Sequence, residues 1–252
     1  MEVYYLVVFF ILGTVLGSFF NVVGYRLPLK ESIITPPSHC PKCNHKLTMI
    51  ELIPIFSYLF QKGKCRHCQK KISPFYLVFE LVTGILFSIV YLIYGLTPDI
   101  IIPLTFISML IIITISDYNY MIINDSVLLF FTVLLSIEII IINGPEALVQ
   151  SFINMVLAFF TMWAIKKLGD FIFKRESMGG GDIKLLGVFG LVLGYPMAIL
   201  SIFLGSIVGL PIALLTANNK HIIPFGPFLA VGALIIVLTK IDTNVINSFL
   251  GF

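Results

Sequence analysis

Residues 100–115 read IIIPLTFISMLIIITI, an apolar run that is followed at once by Ser116 and the carboxylate of Asp117. A helix needs about 20 predominantly apolar residues to cross a bilayer, and somewhat shorter runs still qualify as candidates. Comparable runs recur along the chain, at 3–23, 75–96, 127–142, 147–165, 183–200, 201–215 and 222–239. The sequence therefore predicts an all-α polytopic membrane protein with about eight transmembrane helices.

The composition agrees with this class and excludes an ordinary soluble domain. Hydrophobic residues make up 58% of the chain and charged residues 12%, and the mean hydropathy is +1.04. The first run is interpreted as a retained helix and not as a secretory signal, because Met1–Tyr5 carries no basic residue. The formal charge of +3 gives no case for a nucleic-acid partner, and a lipid bilayer is the partner expected from composition.

Lysine and arginine indicate the orientation, because they accumulate in cytoplasmic loops. Residues 26–71 hold nine of the sixteen, five more flank residues 178–182, and Lys220 precedes the last run. With eight spans and an outer N-terminus, these positions all fall on the cytoplasmic side. We predict three parts: a first transmembrane helix over 1–25, a cytoplasmic domain over 26–74, and a membrane bundle over 75–252.

All four cysteines lie in the polar part, as two CxxC pairs separated by 21 residues: Cys40, Cys43, Cys65 and Cys68. This spacing is typical of a zinc ribbon, in which each pair offers two thiolates to one tetrahedral ion. Such a small domain needs a staple, and disulfides are not expected in a reducing cytoplasm. We predict a structural zinc ion; unligated or redox-active thiols are the alternative. His39, His45 and His67 are expected beside this site and not in it.

The chemistry is expected at two carboxylates, Asp117 and Asp182. A charged side chain at membrane depth costs roughly 2.5–3.5 kcal/mol on insertion scales, so an acid there needs a function. Asp182 follows three glycines, which allow backbone conformations closed to other residues and also permit the close approach of a substrate strand or a neighbouring helix. Two such acids on packed helix ends could act as an aspartyl protease pair. Two unrelated helix-end carboxylates, or a cation site, remain the alternatives.

Other polar residues of the apolar segments have weaker interpretations. Asp125 is predicted to be the N-cap of a helix that starts at Ser126. Glu80 and Glu138 lie inside apolar runs, and Glu80 is a candidate for binding a polar ligand. Asn21 and Arg26, at the end of the first run, could anchor that end or line a substrate path.

Taken in order, the motifs resemble those of the type IV prepilin peptidases. The N-terminal signature is matched by Gly17-Ser18-Phe19-Phe20-Asn21-Val22-Val23 with Arg26, Leu27 and Pro28, and the paired CxxC segment follows. Tyr76 and Glu80 match the entry into the second helix. Asp117 with Ile123 and Asp125 resembles the first aspartate motif, although Asn124 stands where the family commonly has proline. Gly179–Asp182 with Lys184 resembles the GxGD motif, and Ile223–Phe228 resembles the last-helix signature.

The resemblance implies a bifunctional enzyme of the bacterial cytoplasmic membrane. It implies an aspartic endopeptidase that removes the short basic leader of prepilins or pseudopilins after glycine at the cytoplasmic face, with Asp117 and Asp182 as the catalytic pair. It also implies N-methylation of the new terminus with S-adenosylmethionine, for which the sequence offers no readable binding motif. The compact length resembles members of competence systems, and a Gram-positive source is expected.

Two other functions stay open from the residues alone. One is a GxGD-type membrane protease that lacks methyltransferase activity. The other is a non-enzymatic scaffold or carrier, in which the zinc ribbon docks a partner and the two acids bind a cation. Leader cleavage and methyl transfer distinguish the three hypotheses, because only the first predicts both.

Overall fold

The computed structural model describes residues 2–216 and 224–241, and in these ranges the regular structure is helical except for two isolated β-bridges. His221, the start of the run at 222–239 and the first residue of the motif at 223–228 lie outside the described residues. The α-helices are α1 (Glu2–Arg26), α2 (Phe56–Phe60), α3 (Pro74–Tyr94), α4 (Ile101–Tyr120), α5 (Asp125–Asn143), α6 (Pro145–Phe173), α7 (Gly180–Leu193), α8 (Tyr195–Thr216) and α9 (Gly226–Thr239).

Six helices of the described part are long and apolar enough to cross a membrane: α1, α3, α4, α5, α6 and α8. The predicted class, an α-helical multi-pass membrane protein, is confirmed. Helices α7 and α9 are also apolar, but each has only 14 residues. Many large apolar side chains on the long helices are exposed, as expected of surfaces that face lipid.

The predicted boundary between the runs at 183–200 and 201–215 is wrong, because the chain breaks at Gly194. Gly194 has a φ of +83°, and its N–H closes α7 by donating to the carbonyl of Gly190 at 3.1 Å. Pro196 then occupies the first turn of α8, where a proline is tolerated because the N–H there has no helical partner. The early break leaves α7 short and extends α8 to 22 residues.

The chain divides into two compact units, Met1–Ile100 and Ile101–Phe252. In the first unit, α1 and α3 pack so closely that small residues are required at their crossing. A Cβ at Gly13 would lie 2.7 Å from the carbonyl oxygen of Thr83, and one at Gly84 would lie 2.7 Å from Cγ2 of Thr14. Close backbone approach at small residues is a common way for membrane helices to associate. The polar segment between these two helices forms the cysteine-bearing part of the unit.

In the second unit, α4 and α7 form the interior of the helical bundle. Ile107, Leu110 and Ile115 of α4 are fully buried, and so are Leu185 and Leu186 of α7. The Phe106 and Phe189 rings meet edge to face with centroids 5.5 Å apart, which joins the two helices. The two helices that carry Asp117 and Asp182 are therefore the most enclosed of this unit.

Candidate functional site

Asp117 lies in the last turn of α4 and is 6% exposed. The backbone N–H of Gly226, the first residue of α9, donates a hydrogen bond of 3.0 Å to Oδ2 of Asp117. A helix N-terminus has unpaired N–H groups and favours negative charge. The sequence thus brings the C-terminal end of α4 and the N-terminal end of α9 together at one carboxylate.

Asp182 lies in the first turn of α7 and is 8% exposed. Its carboxylate lies against Gly179, the residue that caps the helix, where a Cβ would lie 3.5 Å from Oδ2. The position resembles that of Asp117 in one respect, because each acid lies against a glycine at the start of a helix. Both side chains are buried and neither forms an ion pair with a cation in the described part of the chain.

The structure brings the two acids together at one end of the second unit. Asp117 accepts from the N–H of Gly226, and Asp182 directly follows Gly181 in the chain. The Ile123 side chain packs against both of these glycines, since a Cβ on Gly181 would lie 2.7 Å from its Cβ and a Cβ on Gly226 would lie 3.4 Å from its Cδ1. Two buried carboxylates at one end of a bundle favour a state in which one of them is protonated, because like charges repel each other, and one ionised and one protonated carboxyl group is what acid-pair hydrolysis requires.

Of the three glycines before Asp182, only Gly181 is required by close packing, and none has an unusual backbone. Gly179 has a φ of −68°, Gly180 and Gly181 are helical, and none of the three has a positive φ. The prediction of special conformations is therefore wrong, and the alternative of close approach fits Gly181. A Cβ there would lie 2.7 Å from Cβ of Ile123, whereas a Cβ at Gly180 would meet no atom within 4 Å.

These neighbouring glycines give a matched test of the site. We expect Gly181→Ala to push Ile123 and the first turn of α7 apart; under the aspartyl-protease hypothesis, it should lower the leader cleavage that the motif resemblance implies by about 10- to 100-fold, because small misplacements of catalytic groups cost rates of that order. Gly180→Ala should keep wild-type activity. Initial rates on a prepilin substrate in reconstituted membranes measure both, and equal activity of the two variants would contradict the packing.

Asp125 is not the N-cap that the sequence predicts. Helix α5 begins at Asp125, and the cap is Asn124, whose side chain accepts from the N–H of Ser126 at 2.9 Å. Asn124, which departs from the family's proline, therefore has a structural function. Asp125 instead forms an ion pair with Lys184, with Nζ at 2.7 and 2.8 Å from the two oxygens.

The Asp125–Lys184 pair joins α5 to α7 two residues beyond Asp182. Both side chains are at least half exposed, so the contribution of the pair to stability is only about 0–1 kcal/mol. Its position matters more than its strength, because it ties the first turn of α7 to a neighbouring helix. Sequence reasoning missed this pair, since nothing in the spacing of the two residues indicates contact.

The four cysteines form the cluster that their spacing predicts. Their sulfur atoms lie within 4.8 Å of one another, with 3.9 Å between Cys40 and Cys68 and between Cys43 and Cys65. A tetrahedral site with metal–sulfur distances of about 2.3 Å has sulfur–sulfur edges of about 3.8 Å. The cluster could hold one metal ion, and its geometry and its four thiols are compatible with zinc.

Each cysteine pair sits on a tight turn of the same design. The N–H of Cys40 donates to His45 and that of Asn44 to Cys40, while Cys65 pairs with Lys70 and Gln69 with Cys65, all at 2.9 Å. Asn44 and Gln69 both have positive φ values, 55° and 58°, directly after the second cysteine of their pair. Two equivalent turns present two thiols each, which is the knuckle geometry of a ribbon.

The histidines lie beside this cluster, and the group of potential ligands in the described residues contains only the cysteines. The His45 ring stacks on His67 with centroids 5.1 Å apart, and its Nε2 lies 3.6 Å from Glu51. Hydrogen bonds from the backbone N–H and the hydroxyl of Thr48 lower the pKa of Glu51 below its usual value. These contacts support the turns from outside.

The remaining polar candidates hold the first unit together. Arg26 donates to the carbonyls of Ser32 and Pro36 at 3.0 and 2.7 Å, so it anchors the loop after α1. Asn21 is 2% exposed and donates to the carbonyl of Tyr76 at 3.3 Å. Glu80 accepts from the N–H of Ile55 at 2.8 Å. In the second unit, Glu138 accepts from the Thr105 hydroxyl at 2.7 Å.

Two functional positions received no role from the sequence, Gly226 and Ile123. Both belong to motifs that the sequence singles out, yet neither has a side chain that suggests chemistry. A Cβ at Gly226 would lie 2.6 Å from Oδ2 of Asp117, so glycine is needed for the carboxylate to fit. These two residues are recognised as part of the site only from the packing of the end of α4 with the starts of α7 and α9.

The described residues contain a bundle of helices long enough to cross a membrane, two buried aspartates and a cluster of four cysteines. The class of protein is therefore a multi-pass membrane protein with a candidate acid-pair site. Residues 11–94 match the bacterial peptidase A24 N-terminal domain, and residues 104–214 match the type IV leader peptidase family. The chain belongs to the type IV leader peptidase family, which confirms the resemblance of its motifs.

Three similar proteins, each named prepilin leader peptidase/N-methyltransferase, align with nearly the whole chain. The protein from Bacillus subtilis (strain 168) is 36% identical and the alignment covers 92% of this chain and 93% of the relative. That from Vibrio cholerae serotype O1 is 33% identical, with 94% and 97% covered. That from Neisseria gonorrhoeae is 32% identical, with 90% and 87% covered. No solved structure matches the chain.

Proposed function

We propose that this chain removes the leader peptide of type IV prepilins or pseudopilins and then methylates the new N-terminal amine. The observation that carries the proposal is the similarity to prepilin leader peptidase/N-methyltransferases over more than nine-tenths of the chain. The buried pair of Asp117 and Asp182 supports the peptidase half, because acid-pair proteolysis requires two carboxylates in proximity. Competence pseudopilins are the substrates that the compact length favours.

The proposed hydrolysis uses the two aspartates as one unit. The ionised carboxylate takes a proton from water, whose oxygen attacks the carbonyl carbon of the leader's terminal glycine. The protonated carboxylate donates to the carbonyl oxygen, and the collapse of the tetrahedral intermediate breaks the C–N bond as the amine gains a proton. The pair titrates together, so acid and base belong to the pair and not to one residue. The Gly226 N–H fits the task of keeping one Asp117 oxygen in place.

The proposed topology places the site at the cytoplasmic face. We propose that α7 and α9 also lie in the bilayer, which gives eight membrane helices with an outer N-terminus. A 14-residue helix is about 21 Å long, shorter than the hydrocarbon core, but α7 is largely enclosed by its neighbours. The end of α4 and the starts of α7 and α9 then share one face, together with the basic loops, as the positive-inside rule favours.

Methylation follows cleavage in the proposed sequence. After losing its proton, the free amine would attack the methyl carbon of S-adenosylmethionine; the bond from that carbon to the sulfonium sulfur would break, and S-adenosylhomocysteine would leave. The relatives' names support this step.

Both activities can be tested in one experiment. The reconstituted protein is incubated with a prepilin and methyl-labelled S-adenosylmethionine, and the product is followed by mass spectrometry. We expect a shortened, methylated pilin; shortening without the label would favour a peptidase alone, and neither change would overturn the proposal.

We propose a structural zinc ion at the four cysteines, where no open coordination position is left for chemistry. Cys40→Ser with Cys43→Ser should lose the metal and loosen residues 26–73, because metal binding supplies folding free energy to so small a domain. The Asp pair should keep part of its activity. Metal analysis and limited proteolysis measure the change, with Ser38→Ala as a control, and wild-type protein free of zinc would contradict the assignment.

A further inference from the structure

The segment before the second cysteine pair carries apolar side chains that the fold leaves uncovered. Met49 is 90% exposed, Phe60 is 83% exposed, and Ile50, Ile53 and Phe56 are exposed as well. In a water-soluble domain such a cluster marks an interaction surface. The apolar side chains at 50, 53, 56 and 60 line one wall of a groove of about 490 Å³ in the first unit.

The groove has a basic rim. Lys62, Lys64 and Arg66 line it, and all three are exposed. Glu51 also lines the groove, but its carboxylate is buried and accepts from Thr48. The combination of apolar side chains and adjacent cations is the signature of a surface that binds anionic lipid headgroups while its apolar residues enter the acyl boundary.

A hydrogen bond fixes this segment to the start of α3. The N–H of Ile55 donates to Oε2 of Glu80 at 2.8 Å. Glu80 lies six residues after Pro74, the first residue of the membrane-spanning helix α3, which is about 9 Å along the helix axis. The segment is therefore held against the first two turns of α3, near the end of a helix long enough to cross the bilayer. Ile55 adopts a φ of +64°, rare for a β-branched residue, to make this contact.

The backbone of the segment suits a low-dielectric boundary. Residues 50–52 form a 3-10 turn, and α2 follows over Phe56–Phe60, so many backbone groups are paired internally. Internal pairing is what a segment near hydrocarbon requires. Its ends return to α1 and α3, both long enough to cross the bilayer, so the chain confines the segment near the membrane surface.

We propose that residues 49–60, with the cationic side chains at 62, 64 and 66, form a monotopic surface docked in the anionic headgroup region of the bilayer. Lipid is the occupant that the charges favour, because its phosphates complement the basic rim. The basic leader implied for a prepilin has the wrong sign for this rim. Glu80 positions the surface through Ile55, which gives that intramembrane carboxylate a function apart from the aspartate pair.

Depth-dependent fluorescence tests the docking in the full-length protein. Trp163 is the single tryptophan, so Phe60→Trp in a Trp163→Phe background gives one probe. In vesicles containing brominated phospholipids, we expect at least about twice the quenching seen for Lys42→Trp in the same background, because Lys42 lies in the first cysteine turn and does not line the groove. Both variants must retain their metal. Equal quenching at the two positions would overturn the proposal and leave the surface open to a protein partner.

Two further arms test the lipid charge and the anchor. Quenching of the residue-60 probe should rise when phosphatidylglycerol is added to phosphatidylcholine, and Lys62→Ala, Lys64→Ala and Arg66→Ala together should remove that rise. If the quenching does not change with the lipid charge, the proposed attraction of the basic rim to anionic lipid is wrong.

The contact between Glu80 and Ile55 is tested separately. Glu80→Leu should lower the quenching, whereas Glu80→Gln, which keeps an acceptor for the Ile55 N–H, should preserve it. Equal signals from the two Glu80 variants would overturn the anchoring role.

Discussion

Replacing Asp182 by asparagine is expected to lower leader cleavage by at least about a hundredfold, and Asp117→Asn should do the same, because positioned acid–base groups contribute about 10²–10⁴ to rates. The amide keeps the size of the side chain, and at position 117 it can still accept the hydrogen bond from the Gly226 N–H. It cannot exchange a proton with water or with the substrate carbonyl. The rate of prepilin shortening in reconstituted vesicles measures the effect.

The control for this pair is Asp99→Asn. Asp99 is exposed in the turn before α4 and lies at the boundary of the first unit, so its amide should behave as wild type. All three variants should insert and retain metal to the same degree, since each substitution conserves volume. Cleavage by Asp117→Asn or Asp182→Asn at more than about a tenth of the wild-type rate would contradict the assignment of that residue.

Adding one methyl group at Gly226 is expected to be nearly as damaging. A Cβ there would lie 2.6 Å from Oδ2 of Asp117, so Gly226→Ala must turn the carboxylate away or shift the start of α9. Either movement weakens the 3.0 Å hydrogen bond from the Gly226 N–H. We expect cleavage to fall by about 10- to 100-fold, as for misplacement of a catalytic group by about 1 Å.

Gly180→Ala is the matched control for this variant as well, because its Cβ would enter open space. The dependence of the cleavage rate on prepilin concentration distinguishes a misplaced Asp117 carboxylate from a general loss of structure. If the carboxylate alone is displaced, turnover should fall while the concentration of prepilin at half-maximal rate changes little. A wild-type turnover number for Gly226→Ala would show that the contact with Asp117 is unimportant for the reaction.

The sequence predicts the class of fold and the residue types of both sites because these depend on local signals. Apolar length identifies the membrane helices, and the CxxC spacing predicts a sulfur cluster that the structure contains. The predicted position of the α7–α8 break is wrong although Gly194 and Pro196 mark it. A run that is apolar throughout hides a boundary unless glycine and proline are given more weight than hydropathy.

The geometry of the aspartate site depends on contacts that no local pattern encodes. Asp117 and Gly226 are 109 positions apart, and only the packing of α4 against α9 makes them neighbours. The function of Gly181 is similar, since the glycine provides room for Ile123 and not the backbone freedom that its type suggests. For Asp125 the local signal misleads. Its place near a helix start suggests an N-cap, but Asn124 is the cap, and Asp125 forms an ion pair with Lys184 instead.

The central claim is that Asp117 and Asp182 act as one catalytic unit, and a double-mutant comparison tests it most directly. Residues that act together are strongly non-additive, so removing the second should cost little once the first is lost. The measurement is the cleavage rate of a prepilin by Asp117→Asn, by Asp182→Asn and by the double variant. We predict that the double variant is within about threefold of the slower single variant. A double variant slower by the product of the two single effects would contradict the shared site.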